Sequence, residues 1–89
     1  MNIKKIAIQM DSIEKIDLKF DTSFLLAIEA KKRDCDVFYY NPVNLEYDDG
    51  TIKAAGHFIE LYNKKNDYFK YINKEKEVHN LDNFDVILI

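Results

Sequence analysis

Ile6-Ala7-Ile8 is apolar at every position rather than at alternate ones, and this constrains the fold more than any other feature of the chain. A strand without a polar face is covered on both sides, the condition of strands in parallel sheets flanked by helices. A strand is therefore expected over Ile3–Met10, with a helix to follow. After a ten-residue loop from Asp11 to Phe20, Asp21 stands where a side-chain oxygen caps the free backbone donors of a helix over Thr22–Arg33. Phe20 and Leu25 sit at staple spacing around that cap. Lys31, Lys32 and Arg33 fall in the last turn and complement the helix dipole, so this basic run reads as a helix end rather than a binding patch. Such a helix and a six-residue strand each span about 20 Å, so the helix can return antiparallel along the strand it covers. Asp36–Tyr40 then supplies a second strand, ended by Asn41-Pro42 because proline cannot donate to a ladder. The result is a βαβ unit, right-handed by the general rule for such crossovers.

An insertion follows. Leu45–Asp48 and Thr51–Ala54 flank Asp49-Gly50, the strongest short hairpin signal. Between Ala55 and Asn80 the periodicity is ambiguous: Phe58, Ile59, Leu61 and Tyr62 fit a helical face as well as a strand that ends in the polar stretch Asn63–Asp67. Tyr68–Ile72 favours a strand, whereas Asn73–Asn80 is mostly charged and reads as solvated. Leu81–Phe84 leads into Asp85–Ile89, a second continuous apolar run of the buried-strand type. Chain termini are usually exposed and frayed, so an end inside such a run suggests the leading part of something longer. The alternative is a complete small protein whose last strand reaches its final residue.

Composition sets the limits. With 89 residues, 47% of them hydrophobic and six each of Phe and Tyr, the chain can build the core of one domain, which excludes disorder and fibrous repeats. Thirteen Lys and Arg against 16 Asp and Glu give a net charge of −3 with the signs interleaved. No basic face exists to neutralise a run of phosphates, so nucleic acid is not an expected partner. The first residues lack a signal-peptide cleavage pattern and no stretch approaches the length of a membrane span, so a cytoplasmic protein with no membrane partner is expected. Cys35 is alone and cannot form an internal disulfide; with His57 and His79 the only histidines, a Cys/His metal site is excluded, and any metal would need carboxylates.

In an open α/β sheet, ligands gather outside the carboxyl ends of the strands. Here that edge comprises the loop after Met10, the start of the Thr22 helix, and whatever follows Ile89. The loop Gln9-Met10-Asp11-Ser12-Ile13 contains no glycine, which argues against a dinucleotide fingerprint, and the two glycines of the chain, Gly50 and Gly56, make no phosphate loop. Asp21-Thr22-Ser23 offers N–H donors and hydroxyls to an anion, or merely caps the helix. Asp11 either binds a ligand ammonium or caps the loop backbone. His57 and His79 read as surface residues, and Cys35 as a small packing residue. No catalytic pair or triad can be assembled.

Three segments read together resemble a known family: Ile6-Ala7-Ile8-Gln9-Met10-Asp11-Ser12-Ile13, then Asp21-Thr22-Ser23-Phe24-Leu25-Leu26-Ala27-Ile28-Glu29-Ala30 with its basic tail, then Leu81-Asp82-Asn83-Phe84-Asp85-Val86-Ile87-Leu88-Ile89. Their order and spacing, with the Tyr39-Tyr40 strand end and the Asp49-Gly50 hairpin, resemble the N-terminal domain of prokaryotic glutathione synthetase over essentially all 89 residues. Two positions depart from it: Ser12 where the family usually has proline, and Asp34 where it usually has a glycine ending the helix.

The resemblance implies a Rossmann-like pre-ATP-grasp domain over residues 1–89, an α/β fold whose parallel sheet starts with the βαβ unit and carries an inserted β-hairpin. It implies an enzyme that ligates γ-glutamylcysteine and glycine using ATP and magnesium, through an acyl phosphate. The nucleotide and metal ligands would lie in an ATP-grasp domain absent from this chain, so the segment binds neither cofactor and is inactive alone. Asp11, Ser12, Thr22 and Ser23 would face the substrate, and the rest would serve as scaffold and as part of a homo-oligomer interface. Two alternatives stay open: a stand-alone βαβ interaction or ligand-binding module, and the N-terminal domain of another ATP-grasp peptide ligase.

Overall fold

A computed structural model describes residues 4–11, 13, 22–62 and 68–89. Along the chain run β1 (Lys5–Gln9), α1 (Thr22–Lys32), β2 (Asp36–Asp48), β3 (Thr51–Leu61), β4 (Phe69–Tyr71), β5 (Glu77–Asn80), a 3-10 turn over Leu81–Asn83, and β6 (Val86–Leu88). They form a six-stranded sheet in the order β4-β3-β2-β1-β6, with β5 also pairing with β3. β1 is parallel to both β2 and β6, and all other pairings are antiparallel. The sheet is thus mixed rather than the parallel one expected, its parallel portion being the three strands β2-β1-β6.

The βαβ start forms as its apolar pattern predicts. Ile3, Phe20 and Asp21, and with the last two the staple and the cap assigned to them, lie outside the described residues. α1 closes at Lys32 with a Schellman arrangement: the N–H of Cys35 donates to the Ala30 carbonyl at 3.1 Å, and that of Asp34 to the Lys31 carbonyl at 3.1 Å. Asp34 takes the left-handed conformation this needs, with φ at 63°. Aspartate visits that region more readily than most residues, which is how the chain manages without glycine there.

Pro42 does not end its strand. β2 runs on to Asp48, because its register with β3 slips between the pairs Tyr40–Gly56 and Leu45–Ala54, five steps along β2 against two along β3. Asn41–Asn44 therefore have no partner in β3, and the N–H that proline lacks breaks no ladder bond. The hairpin closes as predicted, with Asp48 opposite Thr51 and positive φ at both Asp49 (50°) and Gly50 (78°), the type I′ geometry. Of the ambiguous stretch, Ala55–Leu61 continues β3 and Phe69–Tyr71 forms β4, while the polar stretch Asn63–Asp67 lies outside the described residues. The Asn73–Asn80 stretch is not merely solvated: Glu77–Asn80 pairs with Lys53–Gly56 as β5. Four residues on a sheet edge, with Val78 exposed, carry too little apolar signal to mark a strand.

The two faces of the sheet are covered differently. On one, Ile6, Ile8, Val37, Tyr39, Ile59 and Leu61 pack under Phe24, Ala27, Ile28 and Ala30 of α1. The Lys31 ammonium, 3.1 Å from Glu60 Oε1, ties that helix to β3. On the other face lie Ala7, Phe38, Tyr40 and Ala54, with Phe58, Leu81 and Phe84 packed against them. Phe38 is the hub, its ring centroid 5.2 Å from that of Phe84, 5.1 Å from Phe58 and 5.1 Å from His79.

β6 departs from the buried strand expected. Val86 and Leu88 are half-buried, Ile87 is 39% exposed and Ile89 84%. β6 has β1 on one side, and a cleft of about 900 Å³ separates it from α1. Asp85 fixes its start: the N–H groups of Lys4 and Lys5 donate to its carboxylate at 2.9 and 3.0 Å, and its own N–H donates to the Lys5 carbonyl at 2.9 Å.

Two predictions come from this packing. A Cβ on Gly56 would lie 2.1 Å from the Tyr39 carbonyl oxygen, a backbone atom that cannot move aside. Gly56→Ala is expected to cost at least about 3 kcal/mol in equilibrium urea unfolding, whereas a loss under about 1 kcal/mol would mean β2 and β3 do not approach this closely. The second concerns acid. The Lys4 and Lys5 backbone donors hold the Asp85 carboxyl below its ordinary 3.8, with the two lysine charges adding and desolvation opposing. Because the folded pKa is depressed, the stabilisation is present above the unfolded value and lost as pH falls through the folded one. Below about pH 4 the parent protein should lose stability faster than Asp85→Asn, and parallel acid-unfolding curves would refute the assignment.

Candidate functional site

The chain moves from β1 through α1 to β2 on one side of β1, and later places β6 on its other side. Strand order therefore reverses between β1 and β6, and the crevice outside their carboxyl ends is the topological switch point. Gln9 ends one strand there and Leu88 the other, and Asp11 lies two residues past the last β1 pair, with its side chain exposed.

The backbone around Asp11 is held by β2. The Met10 N–H donates to the Tyr40 carbonyl at 3.2 Å, and the Tyr40 hydroxyl donates to Gln9 Oε1 at 3.1 Å. Burial pushes the Tyr40 hydroxyl above the ordinary tyrosine range, so it remains a donor at neutral pH. Beyond it, the Asn41 amide donates to the Asp11 carbonyl oxygen, and Asn41 Oδ1 accepts from the Val43 N–H at 3.0 Å. Two residues after Asp11, Ile13 is fully buried and its carbonyl accepts from the Tyr68 hydroxyl. The Tyr68 ring meets Phe24 of α1 edge-on at 5.4 Å, which links this anchor to the helix.

Of the sequence-derived candidates, Asp11 lies at the switch point. Thr22 and Ser23 are the first two residues of α1, the helix end that the βαβ crossover places at the same sheet edge, and Thr22 is exposed. Ser12 lies outside the described residues. The reading of His57 as a surface residue is overturned: it is 8% exposed and stacks on Tyr71 at 4.1 Å, with Nε2 3.3 Å from the Lys74 carbonyl oxygen. The register of β3 turns it inward beside β4. His79 is half-buried among the Phe38, Phe58 and Phe84 rings and lies 3.3 Å from Glu77 Oε1, so it too is a packing residue. Cys35 is buried and packs in the core as expected.

Sequence reasoning missed Tyr40 and Asn41, which it took only as a strand end. An asparagine between a buried strand and a proline is the one local hint, since asparagine side chains organise turns by bonding the backbone two residues on. The cleft between α1 and β6 is a separate feature. Its charged rim, including Lys4, Arg33, Asp34 and Asp36, belongs to the amino ends of β1 and β2, and Ile6, Leu26 and Val86 line it. Among the described residues no group of three or more His, Cys, Asp or Glu side chains could hold a metal ion, and no helix is long and apolar enough to cross a membrane.

The family profile for the N-terminal domain of prokaryotic glutathione synthetase matches residues 4–89. Curated relatives include the glutathione synthetase of Buchnera aphidicola subsp. Schizaphis graminum, 39% identical over 85 residues, covering 96% of this chain and 26% of that protein. The glutathione synthetase of Brucella melitensis biotype 1 is 36% identical, with 96% and 27% covered. That of Agrobacterium fabrum is 38% identical, with 96% and 26% covered. The chain thus spans about a quarter of the length of these relatives. From its first described strand to its last residue, the chain belongs to the prokaryotic glutathione synthetase N-terminal domain family.

Proposed function

We propose that this domain is the substrate-side, Rossmann-like pre-ATP-grasp part of a cytoplasmic ligase that joins γ-glutamylcysteine to glycine. In that reaction ATP phosphorylates the dipeptide carboxylate, and the glycine amine attacks the acyl phosphate, forming the peptide bond and releasing phosphate. The observation that carries the proposal is the switch point: a chain matched by this family throughout residues 4–89 presents a carboxylate and a helix start at the one sheet edge where α/β folds bind ligands.

Asp11 suits the ammonium of the dipeptide. Thr22 and Ser23 open α1, where a helix leaves its first backbone N–H groups without intrahelical partners and its dipole is positive, which suits a substrate carboxylate. Ser12, next to Asp11 in sequence, is the fourth candidate. Their role is positioning, worth about ten- to hundredfold each where they touch substrate. The donor set of the described residues does not fit magnesium, and no glycine lies in the Gln9–Ile13 loop where a nucleotide phosphate would approach. We therefore assign ATP and the metal to the ATP-grasp region of the same ligase. Exposed Leu45, Tyr47 and Ile52 on the hairpin support the further proposal that this domain contributes to a homo-oligomer interface.

The test is an assay of the intact ligase with γ-glutamylcysteine, glycine, ATP and magnesium, which should release one phosphate per tripeptide formed. The 89-residue segment alone should show no ATP turnover. Dipeptide-dependent turnover by the segment, or turnover by the intact protein only with other amino acids or peptides, would overturn the reading.

A further inference from the structure

We infer that Asn41 is a positioning residue for Asp11, spending its side-chain amide on the backbone that carries the carboxylate. The inference rests on the assignment of Asp11 to the substrate side made above. Past Met10 the β1 ladder has ended, and Asp11 belongs to no strand or helix, so its carboxylate is only as well aimed as its own peptide group. The Asn41 amide donates to the carbonyl of that peptide group.

Three features place Asn41 there. The β2–β3 register break begins immediately after Tyr40, which frees Asn41–Asn44 from β3 and leaves Asn41 directly beyond the Gln9–Tyr40 pair, the last rung of the β1–β2 ladder. Pro42 biases the residue before it to an extended backbone. The Val43 N–H then fixes which way the side-chain amide faces: it requires Oδ1 as acceptor, at 3.0 Å, which turns Nδ2 toward the Asp11 carbonyl. One end of the side chain holds the bulge and the other holds the loop. A binding group on a loop needs such a locked support to stay within reach of its productive geometry.

The two bonds are separable. Asn41→Asp keeps an oxygen for the Val43 N–H and removes the donor to Asp11. In the intact ligase, Asn41→Asp is expected to raise KM for γ-glutamylcysteine about tenfold while leaving KM for ATP within about twofold. Asp11→Ala should raise the same KM by at least as much. In the double variant Asn41→Asp should add less than about twofold, because a residue acting through the carboxylate loses its effect once the carboxylate is gone.

An effect of Asn41→Asp that adds fully to that of Asp11→Ala, no effect at all, or an equal rise in KM for ATP overturns the inference and leaves the Asp11 assignment standing. An Asp11→Ala variant with unchanged kinetics overturns that assignment, and the inference with it. Should Asn41→Asp fail to fold, Asn41→Ser carries the same expectations, since its hydroxyl still accepts from Val43 and no amide remains. Failure of both to fold makes Asn41 a structural residue and overturns the inference.

Discussion

β1 has no free edge and no free face, and the rest of the molecule is arranged around that fact. Ile6, Ala7 and Ile8 each pair on both sides, with Val37, Phe38 and Tyr39 of β2 and with Val86, Ile87 and Leu88 of β6. Ala7 and Ile8 are fully buried and Ile6 nearly so, because α1 covers the face bearing Ile6 and Ile8 while an aromatic layer covers the face bearing Ala7. A strand enclosed on four sides holds no polar side chain in its interior without an unpaired buried group, so the residues available there are apolar. Enclosure also dictates topology. For β1 to be central, the chain must place strands on both sides of it, and the reversal of direction between them creates the crevice at its carboxyl end.

The two coverings of β1 differ in kind. α1 is a continuous element whose end is sealed by the Schellman bonds at Asp34 and Cys35 and whose last turn is tied to β3 through Lys31 and Glu60. The opposite face has no helix among the described residues. It relies on Phe38, Phe58, Phe84 and His79, rings brought together as the chain passes from β5 beside β3, through the 3-10 turn, to β6 beyond β1. That crossing spans the sheet, and its far end is secured by the backbone donors that meet Asp85. β6 is accordingly held firmly at its start, while Ile87 and Ile89 toward its end stay exposed.

What was legible in the sequence follows from which interactions are local. The unbroken apolar run at Ile6-Ala7-Ile8, the helix from Thr22 and the Asp-Gly turn each depend on residues within one turn or strand, and each formed as the pattern indicated. β5 was not legible because Glu77–Asn80 is a strand only by virtue of a free stretch of β3 beside it. The passage of β2 through Pro42 was hidden for the same reason: whether a proline interrupts a ladder depends on where the partner's register slips, which is a property of two strands. His57 was misjudged because its neighbours Tyr71 and Lys74 arrive from later in the chain. Of the candidate site, Asp11 and the helix start could be named from their place after a strand and before a helix. The support at Tyr40 and Asn41 could not, since it exists only once β1 and β2 are paired.

The same logic places the polar chemistry at one edge. β1 carries no charged side chain between Lys5 and Asp11, and the buried part of β2, Val37–Tyr40, carries none either, because both pass through the core there. Asp11 is the first charged side chain available once β1 leaves the sheet. Asn41 is the first β2 residue past the last β1–β2 rung, so the two meet at the level where enclosure ends. Gly56 contributes from behind: without a Cβ, it lets β3 approach Tyr39 and Tyr40 closely at the Tyr40–Gly56 pair, and the register break that releases Asn41 begins only there. The packing demand on β1 and the placement of the candidate binding groups are therefore one constraint. The interior must be apolar to be enclosed, and the polar residues gather where the enclosure opens.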